Sequence, residues 1–273
     1  MQFTLHRPQT VADAIRLQAE TGGKYLAGGT VLLVDRRRGK CTAEHYISLE
    51  AIPALRGIRE ENGSIVIGAL TTFREIEDSA LLKEVAFALW QAAGSVGGPQ
   101  VRNRGTLGGN LASGSPSADC AAPLLALGAI LRAEGKNGVR EVPVTELFLG
   151  VGKTALADDE ILTEIVLPAE KTVSTFRKVG KRNALAISCI NMAVSRSEAG
   201  IRVAVGAAAP TPRLCVKTSE ILSGGELTAE RIESACAAIL TEIAPIDDRW
   251  ATAEYRRMVC VNALKAMLKE DLK

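Results

Sequence analysis

The chain has 273 residues, 47% of them hydrophobic and 23% charged, with 33 basic side chains against 31 acidic ones for a net charge of +2. That balance gives no electrostatic footprint for nucleic acid or an anionic membrane, and 4% aromatics are too few for a base-stacking surface. The longest apolar stretch, residues 121–131, is interrupted by Pro123 and Gly128 and is too short to cross a bilayer. The N-terminus, MQFTLHRPQT, has no signal-peptide core, so a cytoplasmic protein without membrane insertion is expected.

Taken in chain order, the first segment reads as helix, strand, glycine turn, helix, strand. Thr10 is placed to cap a helix, with Asp13 three residues on. Val11, Ala14, Ile15 and Gln18 share a face that stops at Gly22-Gly23. A strand over 24–27 runs into Gly28-Gly29-Thr30, a short helical stretch covers 31–37, and 45–49 is the next strand. This predicts a small α/β unit with a parallel strand pair. Segments 55–60 and 64–69 flank Asn62-Gly63, a two-residue hairpin signal. Helices are predicted at 72–78 and 80–92. A glycine-rich stretch follows over 94–115, and then a helix opened by Ser115-Pro116. Strands at 130–134 and 140–143 bracket the turn at 135–138, and 161–167 is another. Beyond about residue 171, strands near 174–181, 187–197 and 201–208 read as antiparallel. Helices at 213–222, 228–242 and 250–269 close the chain, the last with Met258, Val261, Leu264 and Leu268 as a core-facing stripe. Three sub-structures are predicted, 1–57, 58–170 and 171–273.

The six cysteines show no zinc or iron–sulfur spacing, Cys215 and Cys236 being the closest in sequence, and in a reducing compartment they read as buried thiols. With only His6 and His45 as imidazoles, neither a metal site nor a histidine-based triad is expected. Arg36-Arg37-Arg38 reads either as a solvated helix face or as a docking surface for an acidic partner. Trp90 and Trp250 read as core or interface residues.

Two glycine motifs carry the chemistry: Ala27-Gly28-Gly29-Thr30, and Thr106-Leu107-Gly108-Gly109-Asn110 with Asp119 downstream. A diphosphate needs several close donors, and backbone N–H groups approach closely where no Cβ intervenes. Thr30, Thr106 and Asn110 add side-chain donors, and Asp119 is a candidate acceptor for ribose hydroxyls. Each motif alone is also ordinary turn punctuation. A Rossmann G-x-G-x-x-G is absent. The P-loop-like Gly150-Val151-Gly152-Lys153-Thr154 has Leu147 where the pattern requires glycine, so it reads as an exposed turn.

AGGT at 27–30, IGALTT at 67–72, the block VRNRGTLGGNLASGSPSADCAAPLLALGA at 101–129, EILTEIVLP at 160–168 and FRKVGKRNALAIS at 176–188 resemble the FAD-binding medium subunits of the xanthine dehydrogenase and carbon monoxide dehydrogenase type. The resemblance implies an α+β protein: a two-lobed FAD-binding domain, with a small α/β lobe and a larger mixed-sheet lobe, then a C-terminal antiparallel sheet with helices. FAD would lie between the lobes. Tyr25, Leu26, Ala27, Gly28, Gly29, Thr30, Val31 and Leu32 would form the first loop, and Thr106, Gly108, Gly109 and Asn110 the second. Asp119 would hold the adenosine ribose region, and Ile161 and Leu162 would lie along the isoalloxazine ring. Lys178, or Arg177 with a one-residue register shift, would approach the flavin edge. Val96 stands where some relatives place an aromatic residue against the ring.

The same resemblance implies partners: a large molybdopterin-binding subunit that oxidises substrate and a small subunit with 2Fe–2S clusters. Electrons would pass to FAD here and on to NAD+, a quinone or another acceptor, with no catalytic acid or base and no metal on this chain. The alternatives are a relative that keeps the fold as a cofactor-free scaffold, and a stand-alone flavin oxidoreductase.

Overall fold

In the computed structural model, which describes residues 3–168 and 170–271, three sheets follow one another along the chain. The first is built from β1 (Thr4–His6), β2 (Lys24–Leu26) and β3 (His45–Ser48) in the order β1-β3-β2, all parallel. Helix α1 (Val11–Thr21) joins β1 to β2, and α2 (Leu32–Arg37) lies between β2 and β3. The α1 ends match their sequence signals. Thr10 Oγ1 accepts from the Asp13 N–H at 3.1 Å, and Gly22 closes the helix in the left-handed region at φ 63°. The predicted parallel pair therefore gains a third strand. At three residues with no buried position, β1 leaves no alternating pattern to read.

The second sheet holds β4 (Ile58–Glu61), β5 (Ser64–Gly68), β6 (Ile130–Gly135), β7 (Gly138–Pro143) and, after a small separate ribbon of β8 (Phe148–Gly150) and β9 (Lys153–Thr154), β10 (Ile161–Leu167). Its order is β4-β5-β10-β6-β7, antiparallel throughout. The Asn62-Gly63 hairpin forms with both residues at positive φ, 51° and 78°, as a turn matched to the strand twist requires. Between β5 and β6 run the short helices α3 (Phe73–Glu77), α4 (Ala80–Val85), α5 (Phe87–Ser95), α6 (Pro99–Arg102), α7 (Leu107–Ala112) and α8 (Ala121–Leu127), and α9 (Val144–Leu147) follows β7. Two expectations change here. The helix predicted over 80–92 breaks at Ala86, whose φ of −141° is not helical. Ser115-Pro116 does not open a helix either: residues 115–120 form turns, Ser115 Oγ accepts from the Ser117 N–H, and α8 starts at Ala121 without a side-chain cap.

The third sheet, β11 (Val173–Gly180), β12 (Ser188–Ser197), β13 (Gly200–Gly206) and β14 (Arg213–Leu214), is antiparallel in chain order. Helices α10 (Val216–Ser223), α11 (Ala229–Glu242) and α12 (Ala253–Ala266) cover one face. Period-two alternation decides what each strand residue meets. Ile190, Met192 and Val194 of β12 and Ile201, Val203 and Val205 of β13 share the core of these helices. Ala193 and Ala204 belong instead to the core of the second sheet, with Ala92, Ala93, Ala122 and Ala126 of α5 and α8. Each fully buried aliphatic side chain here contributes roughly 1.5–3 kcal/mol. On α12 the buried stripe is Arg256, Val259, Cys260, Ala263 and Leu264, so Met258, predicted to face the core, is exposed: the helix is rotated to put Arg256 inside. Among the described residues, no helix is long and apolar enough to cross a membrane.

Candidate functional site

A cleft of about 470 Å³ opens between the first and second sheets. One side is the loop leaving β2, Ala27 to Val31, and the other is the turn from α6 into α7. The two touch. A Cβ on Gly28 would stand 1.8 Å from the carbonyl oxygen of Arg104, so glycine at 28 is required by the approach of one loop to the other. Gly108 has a similar reason, since a Cβ there would lie 2.7 Å from that of Ala69. Their neighbours differ: Gly29 turns the chain at φ 74°, and a Cβ on Gly109 would meet Thr106 Oγ1 at 2.9 Å and Ala27 across the cleft at 3.8 Å.

The two loops offer different donors. In the second, the N–H of Leu107 goes to Thr71 O, that of Gly108 to Ala69 O, that of Gly109 to Thr106 Oγ1 and that of Asn110 to Thr106 O. Backbone donation from this loop, expected from the sequence, is thus spent on the fold, leaving the bare Cα of Gly109 and the Asn110 amide. Asn110 accepts from the Cys120 N–H through Oδ1. In the first loop, the N–H groups of Gly28, Gly29 and Thr30 meet no acceptor among the described residues. Successive unpaired N–H groups make a concavity suited to an anion.

The remaining walls are apolar: Leu49, Leu70, Phe73, Val96, Val101, Leu156, Ile161 and Leu162. Tyr25 closes one end, its Oη donating to Asp159 O across the gap at 3.1 Å, and burial followed by the charge of Asp159 pushes its phenol pKa up. Glu160 also lines the cleft. The Arg140 guanidinium, in contact with both its oxygens, and the Ala157 N–H hold its carboxyl below the usual range against some desolvation. Such apolar walls with a few fixed polar groups suit a small-molecule or cofactor site.

The sequence-predicted residues Tyr25, Ala27, Gly28, Gly29, Thr30, Val31, Leu32, Val96, Thr106, Gly108, Gly109, Asn110, Ile161 and Leu162 all line this cleft. Leu26, Asp119 and Lys178 do not. Leu26 belongs to β2. Asp119 and Lys178 pair with each other at 2.5 Å, and Asp119 Oδ1 accepts from Ser188 Oγ and Asn191 Nδ2, so the carboxylate placed at a ribose by the sequence is occupied by protein donors. Between the two candidate cations the structure chooses Lys178 as the inward one; Arg177 is directed to Glu270. Phe73, Val101 and Gly105 were not singled out from the sequence, although they lie in or beside the glycine-containing blocks. Asp35, Leu49 and Leu156 carried no signal at all.

The other motifs lie elsewhere. Arg36 donates to Ala43 O and Tyr46 Oη and is no free surface cation. Trp90 donates its indole N–H to Glu77 O and stacks on Phe87. Residues 150–154 form the exposed ribbon turn. Five cysteines are buried and Cys41 is half-buried, all as thiols.

Residues 1–170 match the family described as the FAD binding domain in molybdopterin dehydrogenase, and residues 175–271 match the CO dehydrogenase flavoprotein C-terminal domain. The chain belongs to the FAD-binding medium subunits of the molybdenum hydroxylases. It is 35% identical to the xanthine dehydrogenase FAD-binding subunit of Escherichia coli O157:H7, over 97% of this chain and 94% of that one. It is 34% identical to the carbon monoxide dehydrogenase medium chain of Hydrogenophaga pseudoflava, over 98% of this chain and 96% of the other. A solved carbon monoxide dehydrogenase of H. pseudoflava lacking the Mo-pyranopterin moiety superimposes with a TM-score of 0.95 at 34% identity, covering 99% of this chain and 97% of its counterpart. As a medium subunit the chain is a flavoprotein component of an oxidoreductase. The residues of the cleft fit that cofactor: the unpaired N–H groups and the bare Gly109 would suit a diphosphate, and the apolar walls a ring system.

Proposed function

We propose that this chain is an electron relay: it takes electrons from 2Fe–2S clusters of a small partner subunit and passes them to NAD+, a quinone or another acceptor. Substrate is oxidised at the molybdenum cofactor of a large partner subunit. Bound flavin supplies exchange of single electrons with iron–sulfur centres and of a pair with a soluble acceptor; the protein supplies position and environment. The reading rests on one observation above the others, the convergence of two glycine loops on a single apolar cleft, with the unpaired N–H groups of Gly28, Gly29 and Thr30 on one side and Gly109 and Asn110 on the other.

In this arrangement Gly28, Gly29 and Thr30 hold the diphosphate, with Thr106, Gly108, Gly109 and Asn110 opposite. Ile161, Leu162 and Val96 wall the ring and exclude water. Glu160, locked by Arg140, adds fixed negative charge and no mobile proton. The setting is the cytoplasm, consistent with six free thiols. The test is titration of the full-length chain with FAD, followed by visible absorbance of the isolated complex. Stoichiometric binding and a flavin band that bleaches on reduction are expected. A folded chain that takes up no FAD overturns the proposal.

A further inference from the structure

The Asp119–Lys178 pair lies behind the cleft, and it crosses from the second sheet to the third. Its side chains are 9% and 11% exposed, so both charges depend on protein partners. Asp119 has them: Lys178 Nζ on Oδ2, with Ser188 Oγ at 2.5 Å and Asn191 Nδ2 at 3.2 Å on Oδ1. Ser188 and Asn191 stand on β12, and Asn191 faces Lys178 of β11 in the strand register. Asn191 is fully buried, and its Oδ1 has no hydrogen-bond partner. Gly206 of β13 leaves it room, since a Cβ at 206 would lie 2.3 Å from that oxygen. An orphaned buried acceptor is costly. Here the cost is borne while the amide keeps its Nδ2 on Asp119.

Two hydrogen bonds connect this pair to the cleft. Lys178 Nζ donates at 3.0 Å to Ser95 O, and the next residue, Val96, is in the cleft wall. Cys120, next after Asp119, donates its N–H to Oδ1 of Asn110, which lines the second glycine loop. The C-terminal sheet thereby reaches the cleft from behind at both ends of the 96–110 segment.

We infer that Ser188 and Asn191 are positioning residues for the flavin. By fixing the Asp119 carboxylate and through it Lys178, they set where Val96 and Asn110 stand, so the C-terminal domain determines how tightly the cleft of the preceding domain holds FAD. This inference rests on the reading of the cleft as the FAD site. Nothing here requires Ser188 or Asn191 to touch the cofactor.

The experiment compares full-length Ser188→Ala, Asn191→Ala, Ser188→Thr and Ser195→Ala with wild type, by FAD titration and by the visible circular dichroism of bound flavin. Ser195 is the control: it is buried on the same strand and donates to Ala126 O at 2.6 Å, outside the network. Ser188→Ala and Asn191→Ala are expected to raise the Kd for FAD about tenfold, a network bond to a charged group being worth that much, and to change the flavin dichroism. Ser188→Thr, which keeps the hydroxyl, restores both, and Ser195→Ala moves neither even though it lowers the unfolding midpoint. Ser188→Ala removes a single oxygen, so it reports even where Asn191→Ala does not fold. A wild-type Kd in folded Ser188→Ala, or an equal weakening in Ser195→Ala, overturns the positioning role while the flavin reading stands. Failure of wild type to bind FAD overturns both.

Discussion

The molecule has two internal seams, and they are built in opposite ways. Between the first and second sheets lies the cleft, closed at its rim by Tyr25 on Asp159 O, by Arg104 on Glu50 and by Lys24 near Asp158, the two ion pairs being exposed. Hydrophobic contact across it is small: Leu70, just after β5, and Ile161 of β10 join the core of the first sheet. The seam between the second and third sheets is closely packed, with an opening lined by Phe87 and Gln91 of α5 and Phe176 of β11. Alanines of α5 and α8 pack on Ala193 and Ala204, and several polar groups in that seam are bonded across it, Ser174 Oγ accepting from the Ala88 N–H, Ser195 donating to Ala126 O, Gln91 accepting from the Phe176 N–H. A ligand enters where apolar burial is sparing; a domain is fastened where small side chains let backbones approach. Stability should therefore reside mainly in the second seam and ligand contact in the first, with the Asp119–Lys178 network coupling the two.

The largest test of that contrast is Asp119→Ala. It leaves Lys178 buried without its counter-charge, and loss of one partner of a buried pair costs about 3–5 kcal/mol. Urea unfolding should show that loss, and replacing both residues together, Asp119→Leu with Lys178→Met, should recover much of it. A small effect of Asp119→Ala would mean that the closed seam is not where stability resides.

Next come two glycines that look alike in sequence. Gly28→Ala drives a methyl into the Arg104 carbonyl, so the loops must part; a loss of about 2 kcal/mol or more and of FAD binding is expected. Gly109→Val instead projects beside Thr106 and toward Ala27, where the chain opens to the cleft. It should fold and carry little flavin. Equal destabilisation by both would erase the distinction between a glycine that serves the fold and one that serves the ligand.

That distinction also marks what was legible in the sequence. The loops themselves, the Asn62-Gly63 hairpin and the antiparallel third sheet follow from turn chemistry and period-two patterning, because these signals are local. The partners of the glycines were not legible: Gly28 answers to Arg104, and Gly108 to Ala69, contacts set by tertiary approach. The partners of Asp119 were hidden for the same reason. Its carboxylate is claimed by Lys178, Ser188 and Asn191, the nearest of them 59 residues away in sequence. The helix misplaced at Ser115-Pro116 shows a favourable cap pattern overridden by a run of turns that bring Asp119 to that network. Val96, Ile161 and Leu162 came from the resemblance, since no periodicity distinguishes a cleft wall from a core.

A smaller effect concerns pH. Arg140 holds the Glu160 carboxyl below its ordinary 4.5, so the folded chain resists a proton that the unfolded chain accepts. The resulting stability is present above about pH 4.5 and is lost as pH falls through the lower folded value. Arg140→Gln should therefore be less stable than wild type at neutral pH, and the difference in unfolding midpoint should shrink in acid. A difference that grows on acidification would contradict the pairing.

The smallest effect belongs to the rim. Lys24 and Asp158 stand 3.5 Å apart with side chains 56% and 89% exposed, and pairs of this kind are worth about 0–1 kcal/mol. Lys24→Ala should leave stability within about 0.5 kcal/mol of wild type and the FAD Kd unchanged, at low and high salt alike. Tyr25→Phe, which removes the partly buried bond to Asp159 O from a residue that lines the cleft, should weaken FAD by more than Lys24→Ala does. If the two variants were equivalent, the rim would be holding the seam by charge, and the open seam would depend on ionic strength in a way that hydrogen-bonded closure does not.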